Sequence, residues 1–138
     1  MPHYEAALRL DPAYSLAHNN LGNLHLAGGR IGEARREYER AVTAGPNNAE
    51  AHNNLGALML ASGDASGAIP HLRQAVELRP FYPEAHFNLA RAYGSTGQFD
   101  PAIREATVAR DQAEEAGKAD LLARIREQLQ VYRAGIKP

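Results

Sequence analysis

Ala17-His18-Asn19-Asn20-Leu21-Gly22, Ala51-His52-Asn53-Asn54-Leu55-Gly56 and Ala85-His86-Phe87-Asn88-Leu89-Ala90 are one hexapeptide written three times, 34 residues apart. Other positions keep the same step. Ala34, Ala68 and Ala102 form one set, Ala41, Ala75 and Ala109 a second, and Pro12, Pro46 and Pro80 a third. A pattern that returns at a fixed period of a few tens of residues marks a chain built from one supersecondary unit stacked on copies of itself. Everything else in the sequence is read outward from that period.

Within a unit the first half carries apolar residues at helical spacing, such as Leu21 and Leu24, then Leu55, Leu58 and Met59. A glycine-centred break follows at Gly28-Gly29, Ser62-Gly63 and Gly97, and a second helical stretch runs on toward the proline. Two short antiparallel helices joined by a tight turn result. The spacing predicts helices over about 3–10, 14–27, 32–44, 48–61, 66–78, 83–95, 100–116 and 119–134. Asp100-Pro101 reads as a cap followed by a first-turn proline. Pro70 falls near the end of a first turn if Ser66 is the cap, and inside the helix if it starts earlier, where a kink is expected.

The period and the order Leu-Gly, small Ala, closing Pro resemble the tetratricopeptide repeat over nearly the whole chain. Leu21-Gly22, Leu55-Gly56 and Leu89-Ala90 fill its Leu-Gly slot; the last repeat departs there, and has Glu114 in place of the closing Pro. The resemblance implies an all-α, right-handed α-solenoid of helix-turn-helix repeats with a C-terminal capping helix. Residues 1–14 are the second half of a truncated repeat. Residues 15–48, 49–82 and 83–116 are full repeats, and 117–138 form the capping helix and tail of a single domain. Leu122, Ile125, Leu129 and Tyr132 make one apolar stripe on that last helix, against Arg124, Arg126, Glu127 and Gln130. Because Tyr4, Ala7 and Pro12 match a half-repeat, Met1 is read as an artificial start and the chain as part of a longer protein.

Composition narrows the function. With 138 residues and a formal charge of -1, the chain has no basic footprint for nucleic acid. It has no cysteine, so thiolate metal sites and cysteine nucleophiles are excluded. No apolar run reaches the roughly 18 residues of a membrane span, and a soluble chain is the expectation, its compartment left open with the cytoplasm slightly favoured. No cofactor is implied. Gly28-Gly29-Arg30-Ile31-Gly32 lacks the Lys-Ser/Thr of a phosphate loop, no Gly-x-Ser-x-Gly elbow occurs, and Glu33, Glu37, Glu114 and Glu115 read as solvated helix charges. No catalytic residue is assigned.

The resemblance places the first helix of each pair on the concave face. The inner face is then Leu16, Asn19, Asn20, Asn23, Leu26, Glu50, Asn53, Asn54, Ala57, Leu60, Glu84, Phe87, Asn88 and Arg91. Asn20, Asn54 and Asn88 recur in register, and stacking would make them a ladder of amides. An amide offers donor and acceptor together and so can pair with a peptide unit in both directions. Similar ladders are a feature of the repeats attached to O-linked N-acetylglucosamine transferases. A purely structural role for the same amides is the competing reading. The family's basic clamp for a C-terminal carboxylate is not matched: Asn19 stands where its first Lys would be, and Glu84 and Asn88 where Lys and Arg would be, although Asn23 and Asn54 agree. The expected peptide-binding set is Asn19, Asn20, Asn23, Leu26, Asn53, Asn54, Leu60, Glu84, Phe87, Asn88 and Arg91. Phe81 and Tyr82 are either an aromatic anchor or packing at the junction between units.

His18, His52 and His86 also recur in register, with His3, His25 and His71 elsewhere. Equivalent positions on successive repeats lie on the order of 8–10 Å apart, too far for one ion whose ligands sit near ~2 Å. Packing is therefore expected and metal is not. Buried neutral imidazoles would make the stack sensitive to acid. The expected partner is a protein or peptide held as an extended segment, with self-association through the truncated N-terminal repeat as the alternative, and substrate recruitment for a glycosyltransferase-type enzyme as a third possibility.

Overall fold

The structure, a computed structural model, describes residues 11–135, and the helix expected over 3–10 lies outside the described residues. Seven helices are described: α1 (Pro12–Ala27), α2 (Ile31–Ala44), α3 (Ala49–Ala61), α4 (Ala65–Leu78), α5 (Pro83–Ser95), α6 (Phe99–Glu115) and α7 (Ala119–Arg133). Each expected helix within that range is present, with ends moved by at most two residues.

The hairpin turns explain their own regularity. Gly29, Gly63 and Gly97 all have positive φ, between 76° and 89°, the left-handed region that only glycine enters without strain. The residue after each glycine then donates its N–H five residues back, Arg30 to His25, Asp64 to Met59 and Gln98 to Tyr93. This closes the orphan carbonyls of the preceding helix and reverses the chain in three residues. At the start of α1, Pro12 takes the first helical position and the Asp11 carboxylate accepts from the Ala13 N–H at 2.9 Å.

Two helix starts differ from the sequence reading. Helix α4 is capped by Asp64, which accepts from the Gly67 N–H at 2.9 Å, and not by Ser66. Pro70 therefore lies inside the helix, which runs on as one α-helix through it. Its missing N–H leaves the Ser66 carbonyl without a helical donor, and both residues are exposed. Helix α6 begins at Phe99 with Gln98 as its cap, because the Gly97 turn fixes where the chain re-enters; Asp100 and Pro101 fall within the first turn.

The in-register alanines Ala34, Ala41, Ala68, Ala75, Ala102 and Ala109 are all fully buried. They let the second helices sit close against the first, and larger side chains fill the spaces between. One core cluster joins Tyr38, Leu55, Leu58, Met59, Leu72 and Leu89 across the hairpins, and a second joins Phe87, Ala106, Ile125, Leu129 and Tyr132.

Gly22 and Gly56 are close-approach positions. A Cβ on Gly22 would stand 2.5 Å from Tyr38 Cε1, and one on Gly56 2.6 Å from Leu72 Cγ. Tyr38 and Leu72 are themselves 34 residues apart. One period on, the pair becomes Ala90 and Ala106, both fully buried in the C-terminal cluster. The third repeat's departure from Leu-Gly is thus a volume exchange: the glycine gains a methyl where the facing side chain shrinks to alanine.

Candidate functional site

The first helices α1, α3 and α5, and then α7, touch in succession, whereas α2, α4 and α6 make no contact of that extent with one another. The side carrying the first helices is therefore the shorter, inner one. Its amides are joined, but not as an in-register ladder. Asn54 Nδ2 donates to Asn19 Oδ1 at 2.9 Å and, more weakly, to Asn23 Oδ1 at 3.4 Å; Asn88 Nδ2 donates to Asn53 Oδ1 at 3.0 Å. The links run between positions 35 residues apart, one more than the period, because each helix meets its neighbour with a small offset. Asn19 and Asn53, expected to be open in the groove, are buried, at 2% and 7% exposure. Asn19 Nδ2 also donates to Glu50 Oε1 at 3.3 Å.

Among the described residues, what remains free on the inner face is the whole amide of exposed Asn20, the Oδ1 of half-buried Asn54, and the Oδ1 and second N–H of half-buried Asn88. Asn23 is exposed and accepts from the Tyr38 hydroxyl at 2.6 Å. Tyr38 reaches it from α2 by passing over Gly22. Burial first, and then the Glu50 charge, push the Tyr38 phenol up, so it stays a donor. This through-core contact is invisible in the sequence except as a glycine facing a large residue one hairpin later.

The other expected groove residues divide. Leu26 is exposed, and Leu60, Glu84 and Arg91 are half-buried. Phe87 is not available: it is 3% exposed, with the guanidinium carbons of Arg91 and Arg124 at 5.8 Å and 5.4 Å from its ring centre. It belongs to the C-terminal core cluster, with Ile125, Leu129 and Tyr132 of α7. Of the aromatic pair, Tyr82 packs the junction: it is buried, lies under Arg79 at 4.5 Å, and its N–H donates to Gln112 Oε1 at 2.8 Å. Phe81 is exposed. A groove of about 440 Å³ opens beside it, lined by Glu50, Asn53, Asn54, Arg79, Phe81, Tyr82, Pro83, Glu84 and Lys118. Lys118 bridges to Glu84 across this groove. Arg79, Gln112, Lys118 and Arg124 were not found by sequence reasoning, since none keeps the repeat's register.

The histidines are clamps. His52 Nε2 donates to the Pro46 carbonyl at 2.9 Å and His86 Nε2 to the Pro80 carbonyl at 2.8 Å, each tying the inter-repeat loop to the helix that follows it. The other ring nitrogen meets the residue 19 positions on. His18 and His86 meet Glu37 and Glu105, both at 2.7 Å, but His52 meets His71 Nδ1 at 3.4 Å. Glu37, expected to be solvated, is buried between His18 and Arg40, which hold its carboxyl low against the opposing effect of burial. The expected acid sensitivity is confined to the middle repeat. Burial lowers His52, and burial together with the facing His52 lowers His71. For His86, burial is outweighed by Glu105 and the Pro80 carbonyl, and the imidazole is raised. Among the described residues no three His, Asp or Glu side chains gather where a metal ion could be held.

These features define a class: an all-α stack of helical hairpins whose inner face is lined by amides. The chain belongs to the tetratricopeptide-repeat family, whose models match residues 2–49 and 20–83, and, for a second model, 59–125. No curated protein sequence matches. Among solved structures it is similar to a chain of a T3SS complex from Aeromonas hydrophila, with a TM-score of 0.81 and 21% identity over 87% of this chain and 81% of that one. It is similar to the TPR2B domain of yeast Sti1 in complex with pHsp70, with a TM-score of 0.81 and 16% identity over 88% of this chain and 98% of the other. It also resembles an O-GlcNAc transferase of Thermobaculum terrenum, with a TM-score of 0.75 and 25% identity, covering 87% of this chain and 22% of that enzyme.

Proposed function

We propose that this chain is a protein-interaction scaffold that holds an extended polypeptide segment along its inner face. The observation that carries the reading is the row of half-satisfied amides. Asn20 keeps its whole amide free, Asn54 its carbonyl oxygen, and Asn88 its carbonyl oxygen and one N–H, and Asn54 lines a groove of about 440 Å³. An amide already anchored at one N–H is held in place for a second partner, so less side-chain entropy is lost on binding. Leu26, Leu60 and Arg91 would set preference, with Phe81 at the groove's edge. The structural relatives support the idea: the Sti1 domain was solved with pHsp70, and another relative, PcrH, with the chaperone binding region of PopD. The reading assigns the chain no catalytic step. Among the described residues no helix is long and apolar enough to cross a membrane.

The test is affinity capture from the source organism's lysate with the chain and with an Asn20→Ala/Asn54→Ala/Asn88→Ala variant. Each lost hydrogen bond weakens binding by about 0.5–1.5 kcal/mol. A partner retained by the first and lost by the folded variant supports the groove; equal capture by both sinks it.

A second reading is self-association, and a specific observation favours it. Of the large apolar side chains left exposed, Tyr14, Leu16, Leu21, Leu24, Leu26 and Ile31 all belong to the first hairpin. Such a patch invites association. Light scattering that gives a monomer at high concentration counts against it. Substrate recruitment within a glycosyltransferase-type protein is compatible with either surface.

A further inference from the structure

Arg91 on α5 and Arg124 on α7 both lie against one face-buried ring, that of Phe87. Among the described residues neither guanidinium has a carboxylate partner. Asp120 and Glu127 stand one turn to either side of Arg124 on its own helix, the usual spacing for ion pairs. The Arg124 side chain nevertheless turns to the ring that Arg91 also reaches.

A second observation falls at the same place. Tyr132, 1% exposed, crosses from α7 over Gly94, whose added Cβ would meet Tyr132 Cε1 at 2.5 Å. This repeats the way Tyr38 crosses Gly22. The Tyr38 hydroxyl, however, finds Asn23, whereas the Tyr132 hydroxyl and the neighbouring Gln128 Oε1 have no hydrogen-bond partner among the described residues. Arg91 lies one turn before Gly94, close enough for its charge to act on the phenol. Burial pushes Tyr132 up to about 12, so near neutral pH it keeps its proton and can only gain by donating it.

We infer that the α5–α7 end of the inner face is a subsite for an acidic side chain, Asp or Glu, of the segment held in the groove, with Arg91 and Arg124 supplying the charge. A carboxylate brought to this end of the inner face would meet uncompensated positive charge and accept charge-assisted hydrogen bonds. The placement is at the third repeat and capping helix, one to two turns beyond Asn88, so the acidic residue lies at one end of the bound segment. The inference rests on the groove reading and deepens it.

The experiment is an NMR titration of the full chain, following the Arg Nε–H resonances, with capped glutamate (N-acetyl-glutamate amide) as the probe. Capped glutamine is the neutral isostere, and sodium chloride of matched ionic strength and inorganic phosphate are the other arms. Saturable shifts of the Arg91 and Arg124 signals are expected with capped glutamate and not with capped glutamine or chloride. Arg124→Gln should weaken the effect about tenfold, in line with one charge-assisted bond. Equal shifts from capped glutamine or chloride, or no shift at all, overturn the subsite. Phosphate binding about tenfold tighter than capped glutamate overturns the assignment to an acidic side chain. A captured partner lost by the triple asparagine variant but kept by Arg124→Gln leaves the groove standing and removes the subsite alone.

Discussion

Replacing Gly56 with Ala tests the close approach on which the hairpin geometry depends. The new methyl would stand 2.6 Å from Leu72 Cγ, 2.7 Å from Cδ2 and 3.4 Å from the Ala68 carbonyl oxygen. Leu72 is fully buried, in a core where an added methyl must displace packed neighbours. Two effects of opposite sign compete. Helix propensity favours Ala over Gly by about 1 kcal/mol, and overpacking costs about 1–3 kcal/mol. The single variant is therefore expected to lose up to about 2 kcal/mol, a modest net effect hiding a larger clash. A double-mutant cycle separates them. Leu72→Ala alone should cost about 2–5 kcal/mol. The double variant recreates the Ala90/Ala106 pair of the third repeat, and should be less destabilised than the sum of the singles by the overpacking amount, about 1–3 kcal/mol. Denaturant unfolding followed by circular dichroism gives all four corners. Additivity within about 0.5 kcal/mol would mean that Gly56 and Leu72 do not meet as described, and the volume-exchange account of the third repeat would fall with it.

Two further predictions concern single side chains. His71→Glu should turn the middle repeat's His–His contact into the His–carboxylate pair of its neighbours. His52 and His71 are both lowered, so their contribution is whole above the unfolded value near ~6.5 and is lost as pH falls from there through the folded values. The raised His86 has the opposite sign: its contribution is present in acid and lost as pH rises through its folded value. Glu39 and Arg35 also act on His71, in opposing directions. The melting temperature of the native chain should therefore drop between pH 7.5 and pH 5.5 by more than that of His71→Glu; equal drops would show that the His52–His71 contact is not the sensitive element. Pro70→Ala should stabilise the chain by about 1–3 kcal/mol, since it restores an N–H for the Ser66 carbonyl inside α4 and removes a poor helix former. A loss in the same unfolding assay would mean that the exposed proline ring makes contacts that matter more than the missing bond.

The period of 34 determined the fold by itself, and the reason is physical. Each unit's apolar face is buried only by the next copy, so the same residue types must return at the same places, and the positive-φ glycines of the turns return with them. Helix order, turn positions and the buried alanine sets were legible for that reason. The local pattern could not say which of two plausible caps, Asp64 or Ser66, starts α4, because both are good acceptors and only the geometry of the incoming turn chooses. Nor could it show the inner face in detail. Repetition predicts which residues are equivalent, but contacts between repeats depend on the offset at which helices meet. That offset paired Asn54 with Asn19 and Asn88 with Asn53, buried two of the six expected amides, Asn19 and Asn53, and left Asn20 free. The tertiary structure alone brought Arg91, Arg124 and Tyr132 together, since they lie on two helices separated by a third and share no place in the repeat. A repeating sequence fixes what one unit does; where α7 departs from the repeat, packing decides.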